Sequence, residues 1–502
     1  MKRLDKFPKF KSSDNYTKSK RTLIPEVLRR GEVKFFTNIS DVFDYYNIKS
    51  KMTLSFHHHL RNGDYVLNLV CQEILSRDIK NLNFAPSSIF PNHEILSKLI
   101  ENKNVTNIRT NYMSGSVSKT IQNGSLDGLL LMDTHGGRAR AIEAGEIEID
   151  VAFLATPQVD KYGNGYGGAG KNSCGTLGYA ISDLMYAKKV VLVTDNLVEL
   201  IENPDFDQKY VDAVLVIDSI GNKEGIVSGT TKITRDPIGL LIARKTAQII
   251  DKLGLVKNGF SIQTGAGGTS LAVASYLKDI MKERKVTGSF ASGGITSYFV
   301  DLLNEGYFNK LYDVQCFDLD AVKSYHENPK HLAMSASKYA NPYDDPIVNQ
   351  LDVVILGATE VDLDFNVNVT TDSFGNIIGG SGGHADTAYG AKVTIIVANL
   401  LRSRISLVKE RVLTITTPGE DVDIIVTERG VAVNPRRQDV IEKLKNSNVD
   451  LMTINELYDL AIKIAGKPEI LKIKDKKVIG AVIYRDGSLI DYLYSKWGYK
   501  CL

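Results

Sequence analysis

Two glycine-rich runs are the residues of this chain best suited to chemistry. The first is Thr264-Gly265-Ala266-Gly267-Gly268-Thr269-Ser270, set between an apolar run and a helix expected over residues 270–279. The second is Gly379-Gly380-Ser381-Gly382-Gly383-His384-Ala385-Asp386. A glycine lets backbone N–H groups approach a ligand that a Cβ would block, and it accepts positive φ. Loops of this kind hold phosphates or developing oxyanions. A tight strand-to-helix turn would also explain the first run, and a surface loop the second.

A third cluster is Phe56-His57-His58-His59-Leu60-Arg61, which follows a strand-like segment. On a strand, neighbouring side chains face opposite ways, so at most two of the histidines share one cleft. No HExxH pattern is present, and Cys71, Cys174, Cys316 and Cys501 show no CxxC spacing, so no metal site is expected. The cluster reads as hydrogen-bond donors for an anion, with Arg61 as the fixed charge, or as satisfied histidines at a packed strand end. Arg138, in His135-Gly136-Gly137-Arg138, is a further anion-site candidate or an ordinary surface arginine. Glu360 either orients a loop or ends a strand. The GxGxxG match from Gly163 to Gly168 has no helix opening at its end and does not support a dinucleotide site. Walker A and kinase patterns are missing from the sequence and no nucleophile elbow is read in it, so ATP use and serine hydrolysis lack support.

These loops need a frame. Apolar runs at 66–70, 149–154, 190–193 and 214–217 read as buried strands, as do 259–263, 351–356, 393–397 and 423–426 in the second half. Their alternation with helical-period segments predicts βαβ units and largely parallel sheets, an α/β fold. Asp236-Pro237 marks a helix start and Gly254 its stop. At 502 residues the chain is too long for one ordinary domain. We expect a basic N-terminal tail over 1–34, one domain over 35–230 and a second over 231–502, with the site in the cleft between them.

Composition narrows the setting. No apolar run reaches the ~20 residues of a membrane span, and the basic N-terminus has no apolar signal core. Scattered cysteines fit a reducing cytoplasm. Residues 1–34 hold eleven Lys/Arg against four Asp/Glu, which leaves the rest of a chain of net charge +2 acidic. No nucleic-acid motif accompanies this arm, so it reads as a solvated tail or an arm docked on a partner.

From about Lys51 to Asp486 the chain resembles the α subunit of bacterial citrate lyase, a coenzyme A transferase relative. The resemblance rests on Thr53-Leu-Ser-Phe-His-His-His, Asp150-Val-Ala-Phe-Leu, the run from Phe260 to Val273, Gly293-Gly-Ile-Thr, Phe365-Asn-Val-Asn-Val, Ser381-Gly-Gly-His-Ala-Asp-Thr-Ala and Gly430-Val-Ala-Val-Asn-Pro, in this order. It implies two coenzyme A transferase-like domains, each with a largely parallel sheet flanked by helices. It implies transfer of the carrier thioester from acetyl to citrate, releasing acetate. Gly265, Gly267 and Gly268 would then face the coenzyme A-like arm. Gly382, Gly383 and His384 would face the thioester oxyanion, and His57, His58, His59, Arg61 and Arg138 the citrate carboxylates. The implied partners are a β lyase subunit and a γ acyl carrier whose prosthetic group bears the acetyl thioester. Acetyl-CoA would act as its surrogate, with no cofactor or metal on this chain; a homo-oligomer is left open.

One departure is informative. Butyrate-type relatives carry a nucleophilic Glu in a Gly-Ile-His-(Ser/Thr)-Glu run. Here the run is Gly294-Ile295-Thr296-Ser297-Tyr298, which fits direct transfer without a covalent enzyme intermediate. A shifted carboxylate such as Glu305 or Glu360 is the alternative. A transferase for another small acid, including citramalate, or a non-catalytic acyl-CoA-binding scaffold, are the competing readings.

Overall fold

Aliphatic runs buried on both faces build the frame. Strand sequences such as VAFLA, VVLVT and VTIIV are wholly buried, as a parallel sheet covered by helices on both faces requires. The computed structural model describes residues 4–14, 23–29, 31–227, 232–467, 471–473, 477–496 and 499–501.

The first half contributes β1 (Lys34–Phe36), β2 (Thr53–Phe56), β3 (Leu82–Pro86), β4 (Val105–Thr110), β5 (Leu130–Met132), β6 (Val151–Ala155), β7 (Val190–Thr194) and β8 (Ala213–Val216). The second contributes β9 (Ser261–Thr264), β10 (Gly288–Ile295), β11 (Phe308–Cys316), β12 (His331–Ala333), β13 (Val353–Gly357), β14 (Val393–Val397), β15 (Ile424–Val426), β16 (Val431–Val433) and β17 (Leu451–Met452). A late hairpin adds β18 (Val478–Ile483) and β19 (Leu489–Tyr494).

The first large sheet has ten strands in the order β1-β8-β7-β6-β2-β3-β4-β5-β18-β19. All its pairs are parallel except the last. The second has nine strands in the order β12-β11-β10-β9-β13-β14-β15-β16-β17, parallel except at β15–β16. The hairpin β18–β19 therefore crosses back into the first sheet, so residues 231–502 do not all belong to the second. The expected boundary at 230–235 falls partly on residues outside those described.

Two local expectations are corrected. Residues 66–70 form not a strand but the start of the helix Val66–Ser76. Its buried set is Val66, Leu67, Val70, Cys71 and Ile74, which is helical spacing, and the Asp64 carboxylate accepts from the amides of Val66 (3.3 Å) and Leu67 (3.2 Å). The basic segment is also not a free tail over its described residues. Leu4 is buried against Ala481, Ile483 and Leu489. The Phe10 amide donates to Leu489 O (2.8 Å), the Leu489 amide to Pro8 O (2.7 Å), and Phe10 packs edge-on against Tyr484 at 4.9 Å. Further on, the Ile24 amide donates to Glu143 O (2.8 Å), and Arg29 pairs with Asp212 (2.5 Å). The segment straps the chain to itself.

The helix Pro237–Lys252 begins as its sequence demands, with the Asp236 carboxylate accepting from the Gly239 amide at 3.1 Å. Gly254 follows it at φ +75°, a left-handed position that stops a helix.

Candidate active site

The carboxyl ends of the two sheets meet, which is where open α/β sheets place their ligands. From the first sheet come the segments after β2 (His57 to Arg61), β3 (Ser87, Phe90), β4 (Asn111, Tyr112) and β5 (Thr134, His135). From the second come Gln263 in β9, Gln315 and Phe317 at the end of β11, and the glycine loop that opens the helix His384–Gly390. Hydrogen bonds cross the seam. Gln315 Nε2 donates to His58 O (2.8 Å), and the His135 amide donates to Gly382 O (2.8 Å). Asp386 accepts from Thr134 Oγ1 and from the Gly136 amide, both at 2.9 Å. Arg485, from the β18–β19 hairpin, lies 3.3 Å from the same carboxylate.

The three histidines leave the strand before their own side chains begin, yet they still alternate. His57 and His59 meet each other through their Nδ1 atoms, and His59 Nε2 accepts from the Tyr179 amide at 3.3 Å. His58 turns the other way, with Nδ1 2.5 Å from Ser87 Oγ and its ring stacked on Tyr179 (4.8 Å) and near His135 (6.1 Å). Burial lowers all three: His57 to about 4, His58 and His59 well below the ordinary imidazole range. They are neutral polar groups at pH 7.

The fixed charge is Arg61. It starts a short turn at φ +52°, a left-handed conformation that non-glycine residues enter at a cost. That turn puts its guanidinium over Phe90 (5.7 Å) and Phe317 (4.6 Å), one ring from each half of the chain. Its Nη1 is buried with no acceptor among the described residues, and burial lowers its pKa. A buried cationic donor with no carboxylate beside it among the described residues is suited to binding an anion.

Arg138 is engaged elsewhere. It makes a bidentate pair with the fully buried Asp183 (2.7 and 2.8 Å) and also donates to Ser55 Oγ (3.0 Å) and Ala85 O (2.6 Å). It holds the carboxyl ends of β2 and β3 together and is not free to hold a substrate carboxylate.

In the second loop, Gly382 sits at φ +51° and pairs in parallel with Thr134. A Cβ on Gly383 would lie 2.4 Å from Tyr339 Oη, which accepts from Gln263 Nε2 at 2.7 Å. His384 does not face an oxyanion. Its Nε2 donates to Gly357 O (2.9 Å), and its Nδ1 accepts from Thr417 Oγ1 (2.7 Å). A carbonyl can only accept, so the proton is on Nε2 and neither nitrogen is left over; burial lowers its pKa to about 4. His384 positions the loop. The first loop lies at the end of β9, where the Gly265 amide donates to Ile355 O (2.7 Å) and exposed Gly267 caps the helix Gly268–Arg284. The first-turn amides of that helix have no partners within it.

The alternative carboxylates are occupied. Glu360 is buried and accepts from Ser373 Oγ (2.6 Å) and Asn368 Nδ2 (3.1 Å), and Glu305 pairs with Lys278 at the surface (2.7 Å). Thr296 stands at the N-cap position of the helix Ser297–Asn304, and its side chain makes no capping hydrogen bond. Apart from the site, Asp313, Cys316 and His331 form a buried core network, with Asp313 Oδ2 2.9 Å from Cys316 Sγ and 3.0 Å from His331 Nε2.

Sequence reasoning missed His135, Tyr179, Phe90, Phe317 and Gln315. The nearest signal was Gly136 beside His135: a Cβ there would meet Ala340 O at 1.9 Å, so two helices touch at backbone distance.

Two largely parallel sheets flanked by helices and joined at their carboxyl ends make this an α/β protein of the coenzyme A transferase-like class. Within that class the chain belongs to the family "citrate lyase, alpha subunit", whose model matches residues 32–495. It is 45% identical over 463 residues to the citrate lyase alpha chain of Haemophilus influenzae, covering 92% of each chain. It is 42% identical to that of Escherichia coli, covering 92% of this chain and 91% of that one. A solved alpha subunit of citrate lyase from Streptococcus mutans, in complex with citrate, superposes with a TM-score of 0.90 at 43% identity, covering 96% of this chain and 94% of that one. The alpha subunit of a malonate decarboxylase from Acinetobacter baumannii shares the fold at 14% identity and a TM-score of 0.65, covering 88% and 94%. Among the described residues no helix is long and apolar enough to cross a membrane.

Proposed function

We propose that the chain transfers a carrier thioester from acetyl to citrate, as the transferase subunit of a citrate lyase complex. A citrate carboxylate, ionised at pH 7, attacks the acetyl thioester carbonyl. The tetrahedral oxyanion collapses, the thiolate leaves, and a mixed acetyl–citryl anhydride remains. The thiolate then attacks the citryl carbonyl, acetate departs, and a citryl thioester forms. One thioester replaces another, so no ATP is consumed. Carboxylate and thiolate need no general base, and the protein's task is positioning and oxyanion stabilisation.

The observation that carries this reading is the Arg61 guanidinium, held between Phe90 and Phe317 with a buried Nη1 and no carboxylate partner among the described residues. It supports the binding of a polycarboxylate beside the glycine loop at 379–383. The family supports citrate as that acid. A route through an enzyme glutamate is disfavoured by the engagement of Glu360 and Glu305. The loop at Gly265 to Gly268, exposed at Gly267, suits the phosphates of the carrier's coenzyme A-like arm. The lyase β subunit and a small γ acyl carrier are the proposed partners, and the cytoplasm the proposed compartment.

The test is acyl transfer by the purified chain, with acetyl-CoA as donor and a panel of di- and tricarboxylates as acceptors. Citrate should give the highest kcat/KM. A preference for citramalate or a dicarboxylate would overturn the assignment of the acceptor, and no transfer to any acid would favour a scaffold.

A further inference from the structure

The oxyanion of the proposed reaction needs donors, and the second glycine loop is short of them. The Gly382 amide donates to Asn111 O (3.3 Å) and the His384 amide to Ser381 O (2.8 Å). The Gly383 amide has no acceptor among the described residues. Both nitrogens of His384 are engaged. One backbone donor is half of the usual two-donor arrangement.

We propose that His135 is a catalytic residue: its Nε2–H is the second donor, beside the Gly383 amide, to the oxygen of the attacked thioester carbonyl. This rests on the transferase reading above. His135 opens the helix His135–Glu143, and its amide fixes it to Gly382 O at 2.8 Å. Its imidazole lies over the α-carbon of Gly382: a Cβ there would be 3.2 Å from Nε2, so any side chain would crowd the ring. Tyr179 packs on the ring at 4.2 Å and His58 at 6.1 Å, which fixes its tilt. The residue is partly exposed, and of its two ring nitrogens Nδ1 is buried with no partner among the described residues. Placing the ring proton on Nε2 leaves no N–H buried without an acceptor. Burial, with nearby Arg138 adding to it, lowers the imidazolium pKa to about 3, so the ring is neutral at working pH. A neutral imidazole can donate a hydrogen bond to a carbonyl oxygen as it gains charge, without transferring its proton.

The experiment compares wild type with His135→Phe, which keeps a ring against Tyr179, and His135→Gln, which restores an N–H donor. Exchange of labelled acetate into acetyl-CoA gives kcat and KM without using citrate. His135→Phe should lose about 10²–10³-fold in kcat with little change in KM for acetyl-CoA. His135→Gln should recover about tenfold of that loss, the size of one hydrogen bond. The carbonyl stretch of bound, isotope-labelled acetyl-CoA is read in parallel and does not depend on turnover. It should lie at higher frequency in His135→Phe than in wild type. Wild-type kcat in a folded His135→Phe overturns the proposal, as does an unmoved carbonyl stretch, whatever the rate. If acetate exchanges but citrate is not an acceptor, the choice of acid fails and the role of His135 stands on its own result.

Discussion

Gly383→Ala is a small change with a large expected effect. The new methyl would sit 2.4 Å from Tyr339 Oη and 3.2 Å from its ring. That is about 1 Å short of ordinary contact. The helix His384–Gly390 is pinned by Asp386 to Thr134 and Gly136, so the tyrosine or the loop must move. If Tyr339 moves, its 2.7 Å bond from the buried Gln263 amide is broken, costing about 1–3 kcal/mol of stability. If the loop moves, the Gly383 amide leaves the reacting oxygen, and a displacement of about 1 Å costs on the order of 10²-fold in rate. We expect kcat for acetyl transfer to fall about 10²–10³-fold while circular dichroism stays unchanged. Adding Tyr339→Phe removes the hydroxyl that the methyl meets, and the double variant should regain about tenfold of the lost kcat. Wild-type kcat in Gly383→Ala, or a double variant no better than the single, would refute the steric argument.

Other substitutions separate binding from structure. Arg61→Ala should raise the KM for citrate about 10- to 150-fold, the equivalent of about 1.5–3 kcal/mol, and leave the KM for acetyl-CoA unchanged; unaltered citrate kinetics would remove Arg61 from the acid site. Arg138→Ala should act on folding instead, destabilising the chain by about 3–5 kcal/mol because Asp183 is left buried and unpaired, which denaturant unfolding would show. Asp421, buried beneath the N-terminal strap and accepting from Tyr484 Oη at 2.8 Å, has its pKa raised by burial to about 7. Its folded pKa exceeds its unfolded one, so it should weaken the fold as pH rises from about 4 to 7. Asp421→Asn should flatten the Tm-versus-pH profile in that window, and an identical slope would contradict the assignment.

What was legible in the sequence follows from how local each signal is. Parallel strands buried on both faces read as apolar runs, so β6, β7, β13 and β14 were visible, as was the helix start at Asp236-Pro237. The run 66–70 misled because five residues of mixed apolar character do not separate period 2 from period 3.6. The strap over residues 4–14 was invisible because its anchors, Leu489 and Tyr484, lie near the other end of the chain. Arg61 stood out as a charge beside three histidines, but its partners Phe90 and Phe317 are brought in by folding. Arg138 and His384 have the right residue types, and only their bonding partners show that both are engaged in holding the site. His135 went unread beside its glycines because nothing local tells a ring at a cleft from one in a packed core.

The central claim is direct attack by citrate without an enzyme-bound acyl group, and oxygen tracing tests it. A single turnover is run with acetyl-CoA and citrate carrying heavy oxygen in its carboxylates. The attacking carboxylate oxygen becomes the bridge of the mixed anhydride and leaves with acetate, so the account predicts one heavy oxygen in the first acetate released and none in the protein. Unlabelled acetate, with heavy oxygen appearing in a protein carboxylate as citrate reacts, would contradict it.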